Sequence, residues 1–171
     1  MAANVAGITF GTLGSLSLKN NQYYISFSQQ DKTGIYYPGL LIISAKTMKE
    51  LWKLLPVVPK HDVNKNPLII RSAWIGDYLF MIWKKEPRYY FTQGKRQPDP
   101  RWGDDDQQKC EWVLLNICGE VVKEAESVAT DFTAGEDLFT YANGDIGWVH
   151  PAKNAKDEYR SLKIVRISKK Q

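Results

Sequence analysis

A mainly β, antiparallel domain is the fold class the sequence predicts, and three observations predict it. Short apolar or alternating segments recur along the 171 residues and are separated by turn signals at Lys19-Asn20-Asn21-Gln22, Gly76-Asp77 and Asn143-Gly144. The segments are rich in β-branched and aromatic residues, and aromatic residues make up 12% of the chain. A clear helical stripe occurs only once. The expected architecture is therefore a β-rich α+β fold: an antiparallel barrel or two-layer sandwich of hairpins, with one packed helix near residues 45–55. No repeat of constant period is visible, which argues against a propeller or solenoid.

Ile8 to Leu18 alternates, and Tyr23 to Ser28 follows as the second arm of a hairpin. Ile35 to Ser44 is apolar, and Pro38-Gly39 divides it or marks a bulge at a sheet edge. Met48, Leu51, Trp52 and Leu55 fall at i, i+3, i+4 and i+7, the spacing of one helical face. Ser44 or Thr47 supplies an N-cap, Thr47 with Glu50 matches a capping box, and Pro56 ends the helix. Leu68 to Ile75 and Tyr78 to Trp83 are strong strand segments, joined by Gly76-Asp77 with positive φ expected at the glycine. Arg88 to Thr92 reads as a short strand, followed by a long loop. Glu111 to Ile117, Val121 to Glu126, Asp137 to Tyr141, Asp145 to Val149 and Ser161 to Ile167 complete the set, with polar loops at 127–136 and 150–159. One domain over 1–171 is expected, with a possible subdivision at the Pro/Gly-rich loop 97–108.

Apolar residues are 43% and charged residues 25% of the chain, ordinary values that exclude a disordered or collagen-like chain. The longest apolar runs are a few residues, so no membrane span is expected, and the early residues lack the cationic start of a secretory signal. Cys110 and Cys118 bracket a strand segment, which would hold them about 26 Å apart, beyond the roughly 7 Å of a disulfide. Two reduced thiols in a cytoplasmic protein are expected. His61 and His150 have no Cys or His at ligand spacing, so no metal and no cofactor is expected. No nucleophile elbow, zinc-protease, phosphate-loop or dinucleotide string occurs.

The net charge of +4 is unevenly placed. Residues 84–102 hold 6 basic and 2 acidic groups, whereas 104–145 hold 2 basic and 11 acidic. Faces of opposite sign steer partners and set their orientation. Within the basic segment, Lys84, Lys85, Arg88, Lys95, Arg96 and Arg101 are interleaved with Tyr89, Tyr90, Phe91 and Trp102. Cations along phosphates and rings under bases are what single-stranded nucleic acid requires. Tyr90 and Trp102 are the rings expected to be exposed, because Tyr89 and Phe91 share the other strand face and Trp102 lies among prolines and glycines. A second, weaker partner surface is Lys46, Lys49 and Lys53, on the far side of the expected helix. Asp104-Asp105-Asp106 has no distant acidic partner in the sequence, and no pair of carboxylates is positioned for acid–base work.

Two strand–turn–strand units stand in the second half: Trp112-Val113-Leu114-Leu115-Asn116-Ile117-Cys118-Gly119-Glu120-Val121-Val122, and Asp137-Leu138-Phe139-Thr140-Tyr141-Ala142-Asn143-Gly144-Asp145-Ile146-Gly147-Trp148. Over about residues 110–150 this pattern resembles the small accessory subunit of type III-D CRISPR effector complexes. The resemblance implies a non-catalytic subunit packed against other protein subunits, a guide RNA or its target, and carries no catalytic residue. Two function classes follow: an accessory binding module contacting RNA and neighbouring subunits, or a stand-alone glycan or small-ligand binder, or hydrolase, on a β-barrel.

Overall fold

The computed structural model describes residues 11–30, 35–54, 56–57, 65–87, 89–92, 95–98, 110–128, 137–153 and 159–168. Every regular element among them is a strand: β1 Gly11–Lys19, β2 Gln22–Gln30, β3 Tyr36–Ser44, β4 Glu50–Leu54, β5 Lys65–Ile75, β6 Tyr78–Pro87, β7 Tyr89–Thr92, β8 Lys95–Pro98, β9 Cys110–Leu115, β10 Val121–Val128, β11 Phe139–Thr140, β12 Ile146–Lys153 and β13 Tyr159–Ile167. They form a first sheet ordered β1-β2-β3-β4, a central sheet ordered β10-β9-β6-β5, a third sheet ordered β11-β12-β13, and the hairpin β7-β8. All pairings are antiparallel.

The turn residues act locally as their chemistry dictates. Asn20 and Asn21 have φ of 49° and 58° and join β1 to β2 as a two-residue turn, the positive-φ pair that matches strand twist. Gly76 has φ 60° and, with Asp77, joins β5 to β6. Two further turns share one geometry. In Asn116–Glu120 the Gly119 N–H donates to the Asn116 carbonyl, and in Tyr141–Asp145 the Gly144 N–H donates to that of Tyr141, both at 2.9 Å. In each, the glycine takes positive φ, 80° and 84°, where a side chain would be strained.

The expected helix at 45–55 is absent. Ser44 does begin a helical turn: its Oγ accepts from the Thr47 N–H at 3.3 Å, and its carbonyl accepts from Met48 N–H at 2.8 Å. Met48 then turns to φ 55° and the chain reverses into β4. The cap signals are real but serve a single turn. β4 pairs with β3, setting Leu54 across from Leu40 and Trp52 across from Ile42. Leu40 and Ile42 are buried, with Leu54 packed against their cluster, and that burial outweighs the local helical preference. Leu51 faces the other way and is 52% exposed. Leu51→Ala is accordingly expected to change stability by no more than about 0.5 kcal/mol, whereas Ile42→Ala costs about 2–5 kcal/mol. Chemical denaturation of the two variants checks the facing; a larger loss at Leu51 would overturn it.

Pro38-Gly39 neither splits β3 nor bulges it, since pairing with β2 runs unbroken from Tyr36 to Ser44. Gly39 leaves the room that the Phe27 ring occupies across the strand pair. Pairing with β4 stops at Leu40, so β3 is locally an edge at Pro38, whose carbonyl instead accepts from Val57 N–H at 2.8 Å. Two expected loops are also shortened, since β10 runs to Val128 and β12 to Lys153.

β6 explains the layering. Leu79, Phe80, Met81, Ile82 and Trp83 are each at most 1% exposed. Alternate side chains leave opposite faces of a strand. Leu79, Met81 and Trp83 join Tyr24, Leu40 and Ile42 of the first sheet, together with Ile70, Val113 and Leu115. Phe80 and Ile82 join Ala73, Ile75, Cys110 and, from the third sheet, Ile146 and Trp148. The central sheet is thus covered on both faces, the condition under which a strand becomes continuously apolar. The mainly β antiparallel class holds, but among the described residues no sheet closes into a barrel and the layers number three rather than two.

The first sheet comes closest to the central sheet where β1 meets β5. A Cβ at Gly14 would collide with the Ile70 carbonyl and the Ser26 hydroxyl. Small polar residues line this narrow approach: Ser15 Oγ accepts from Ser72 N–H at 3.0 Å, and Ser26 Oγ accepts from Ser15 N–H at 2.9 Å. Farther out along the sheets the gap holds Leu40, Ile42, Met81, Trp83 and Leu115. β11 and β12 of the third sheet likewise meet β5.

Candidate partner interface

The hairpin β7–β8 is inserted into the central sheet. β6 pairs with β9 from Leu79–Leu115 to Lys84–Cys110, and with β5 as far as Pro87–Lys65. The chain between β6 and β9 then folds on itself, with Tyr89 across from Pro98, Tyr90 from Gln97, Phe91 from Arg96 and Thr92 from Lys95. The expected strand at 88–92 is therefore present as β7, while part of the expected loop is its partner β8. The root of the insertion is firmly held. Trp83 is fully buried, and its indole N–H donates to Glu111 Oε2 at 3.1 Å.

Of the basic–aromatic residues, Lys84 and Lys85 lie half-buried at the end of β6. Tyr90, Lys95 and Arg96 are brought together in the β7–β8 hairpin. Arg88, Arg101 and Trp102 lie outside the described residues, as do Asp104, Asp105 and Asp106. The lysine row is not assembled. Without a helix, Lys46 and Lys49 sit exposed in the β3–β4 turn. Lys53 instead lies on the outer face of the first sheet, its Nζ 5.5 Å from the Phe27 ring centroid.

Two polar clusters carry no signal in the sequence. At one end of the first sheet, Lys19 Nζ lies 4.4 Å from the Trp74 ring centroid, donates to the Gly76 carbonyl at 2.6 Å and pairs with Asp77 at 3.1 Å. Trp74 meets Tyr24 edge-on at 4.8 Å and donates to Ser17 Oγ. The Tyr24 hydroxyl lies within hydrogen-bond distance of the Ile117 carbonyl and of Gln22 Oε1. Burial, and secondarily the Cys118 thiol, push the Tyr24 pKa up. No local pattern pairs residues 57 positions apart in the chain.

The second cluster centres on buried Asp145. Its Oδ2 accepts from Asn143 Nδ2 at 2.9 Å, Arg166 Nε at 2.7 Å and Ser168 Oγ at 2.9 Å. The Asn143 hydrogen bond, with Arg166 and Ser168, holds its carboxyl below the ordinary carboxylate value despite the opposing effect of burial. A depressed pKa means that the charged form stabilises the fold at and above the ordinary carboxylate range. That contribution is lost as pH falls through the folded-state value. Thermal unfolding of wild type and Asp145→Asn across acidic pH is expected to show wild type losing its margin over the variant below the ordinary carboxylate range. A margin independent of pH would contradict the assignment.

Cys110 is buried and Cys118 exposed, and neither is in a disulfide. Among the described residues no group of three or more His, Cys, Asp or Glu could hold a metal ion. No helix among them is long and apolar enough to cross a membrane.

No family model matches the chain, and no curated protein matches it. Among solved structures, the orthorhombic crystal form of Pyrococcus horikoshii acylaminoacyl peptidase is similar over 96% of this chain, at 9% identity and a TM-score of 0.33. The chain spans 32% of that protein's length. An overlap at that level carries no argument about activity.

Proposed function

We propose that the chain is a non-catalytic binding module, a cytoplasmic accessory subunit of a nucleoprotein complex, whose β7–β8 insertion contacts RNA alongside neighbouring protein subunits. One observation carries the reading. The densest basic–aromatic segment of the sequence leaves a sheet whose two faces are both spent on packing, and forms a separate hairpin. Register sets Arg96 across from Phe91, and Tyr90 and Lys95 follow one position along their strands. Cations and rings on one short scaffold suit a phosphate backbone with stackable bases. The resemblance of residues 110–150 to the small accessory subunit of type III-D CRISPR effector complexes supports the same reading. Its two units belong to different sheets: β9–β10 to the central one and β11–β12 to the third.

Binding of a short single-stranded RNA at several salt concentrations tests the proposal, with the chain alone and with any co-purifying partner. Wild-type affinity is expected to fall steeply with salt, because neutralised phosphates release condensed counterions. The Arg96→Ala/Arg101→Ala variant is expected to bind more weakly, its salt slope flatter by about one unit for each phosphate no longer neutralised. Trp102→Ala is expected to lose about 1–3 kcal/mol of stacking with the slope unchanged. A wild type that binds no RNA in either state, with a double Arg variant that assembles normally, refutes the reading.

A further inference from the structure

An edge strand is a template for a foreign chain, and proteins blunt their edges by shortness, bulges or proline. Among the described residues every edge but one is blunted. β4 is 5 residues long and shifts register against β3 between Ile42 and Ile43. β11 has 2 residues, and β7 and β8 have 4 each. β10 shifts register against β9 twice, and β5 carries Pro67 and shifts between Leu68 and Arg71. β1 shifts between Leu13 and Leu16 and is closely approached at Gly14 by the Ile70 carbonyl. β13 has none of these devices over 161–167, where its pairing with β12 runs unbroken from Ala152–Ser161 to Ile146–Ile167. No described strand lies on its other side. Alternate residues of such an edge direct their N–H and C=O groups away from the sheet.

The side chains of β13 add a second observation. Val165 and Ile167 pack against the cluster of Ile146 and Trp148, which holds the strand in place. Alternation puts Leu162 and Ile164 on the opposite face, where they are 74% and 63% exposed. Lys163 between them is exposed as well. Residues 159–171 hold 5 basic groups and no acidic one. We propose that β13 is a docking edge for an extended acidic segment of a protein partner. The segment adds to the third sheet as a further strand, with apolar side chains beside Leu162 and Ile164 and carboxylates on its other face, beside Lys163. Strand addition draws affinity from main-chain hydrogen bonds and specificity from alternate side chains. Charge complementarity selects this occupant over a second copy, because pairing β13 with itself brings cation against cation, which is destabilising across a strand pair. Two aliphatic side chains beside open main-chain groups suit a peptide rather than the bases of a nucleic acid. The inference rests on the protein-contact half of the reading above and is separable from its RNA half, since β13 belongs to the third sheet and the β7–β8 hairpin does not.

Titration calorimetry of the full chain, after a high-salt wash, tests it. The probe is a blocked peptide of about eight residues, within the usual length of a strand, in which glutamate alternates with valine. Wild type is expected to bind it saturably below about 1 mM. The same peptide N-methylated at every residue keeps its charge but donates no main-chain hydrogen bond, and is expected not to bind. Lys163→Glu is expected to bind the parent peptide roughly five- to tenfold more weakly, from an attraction lost and a repulsion gained across the strand pair. Both Lys163→Glu and Ile164→Lys alter exposed positions, and circular dichroism matching wild type verifies that they fold. Ile164→Lys is expected to weaken binding although it adds positive charge, which separates strand addition from simple attraction of opposite charges. A wild type that does not bind the peptide overturns the proposal, as does equal binding of the N-methylated form. Displacement of the peptide by single-stranded RNA also overturns it, by assigning β13 to an RNA surface. So does a wild-type dimer in sedimentation that Ile164→Lys breaks, by giving the edge to a second copy.

Discussion

Trp83→Ala is expected to lower the free energy of unfolding by about 3–5 kcal/mol. The indole is fully buried between the first and central sheets, among Tyr24, Leu40, Ile42, Met81, Val113 and Leu115. Trp83 is the bulkiest of the fully buried side chains in that cluster, so its removal leaves a large cavity between the sheets. The change also removes the indole N–H that donates to Glu111 Oε2 at 3.1 Å, adding the cost of a lost hydrogen bond. Trp83→Phe keeps most of the volume and loses the hydrogen bond, so it is expected to fall between wild type and alanine. Urea unfolding followed by fluorescence and circular dichroism reads these differences. A loss below about 1 kcal/mol for the alanine variant, outside the range of large-to-small core substitutions, would mean that this cluster does not hold the two sheets together.

Trp148→Ala removes the counterpart on the other side of the central sheet. Trp148 is 1% exposed and packs with Ala73, Ile75, Phe80, Ile82, Cys110 and Ile146. Its expected cost is again about 3–5 kcal/mol. What distinguishes the two variants is which layer is released. β6 supplies Met81 and Trp83 to one cluster and Phe80 and Ile82 to the other, so loosening the third sheet also uncovers the strand on which the first sheet rests. A single cooperative transition, shifted in midpoint and coincident by both probes, is therefore expected. Two separated transitions in Trp148→Ala would show that the third sheet unfolds on its own and that the shared strand does not couple the layers.

Local chemistry in the sequence determined most of the turns. Asn20-Asn21, Gly76-Asp77 and Asn143-Gly144 reverse the chain because asparagine and glycine tolerate positive φ, and no distant contact is needed to make them do so. The strands flanking those turns and the antiparallel pairing followed from the same short-range reasoning. The insertion at β7–β8 was legible as a basic–aromatic segment, although the pairing of Phe91 with Arg96 was not.

Tertiary structure decided the rest wherever two local readings were nearly equal in energy. At 44–55 the caps and the Met48–Leu51–Trp52–Leu55 stripe were locally sound. The hairpin won because only a strand sets Leu54 across from Leu40 at the core between the sheets, with Trp52, still 40% exposed, across from Ile42. Likewise the unbroken run Leu79–Trp83 signals a strand, but what covers its second face is a tryptophan far along the chain, Trp148. Periodicity reports that a side chain seeks cover. Burial is a property of whatever chain arrives to provide it, and that is settled only when the three sheets pack.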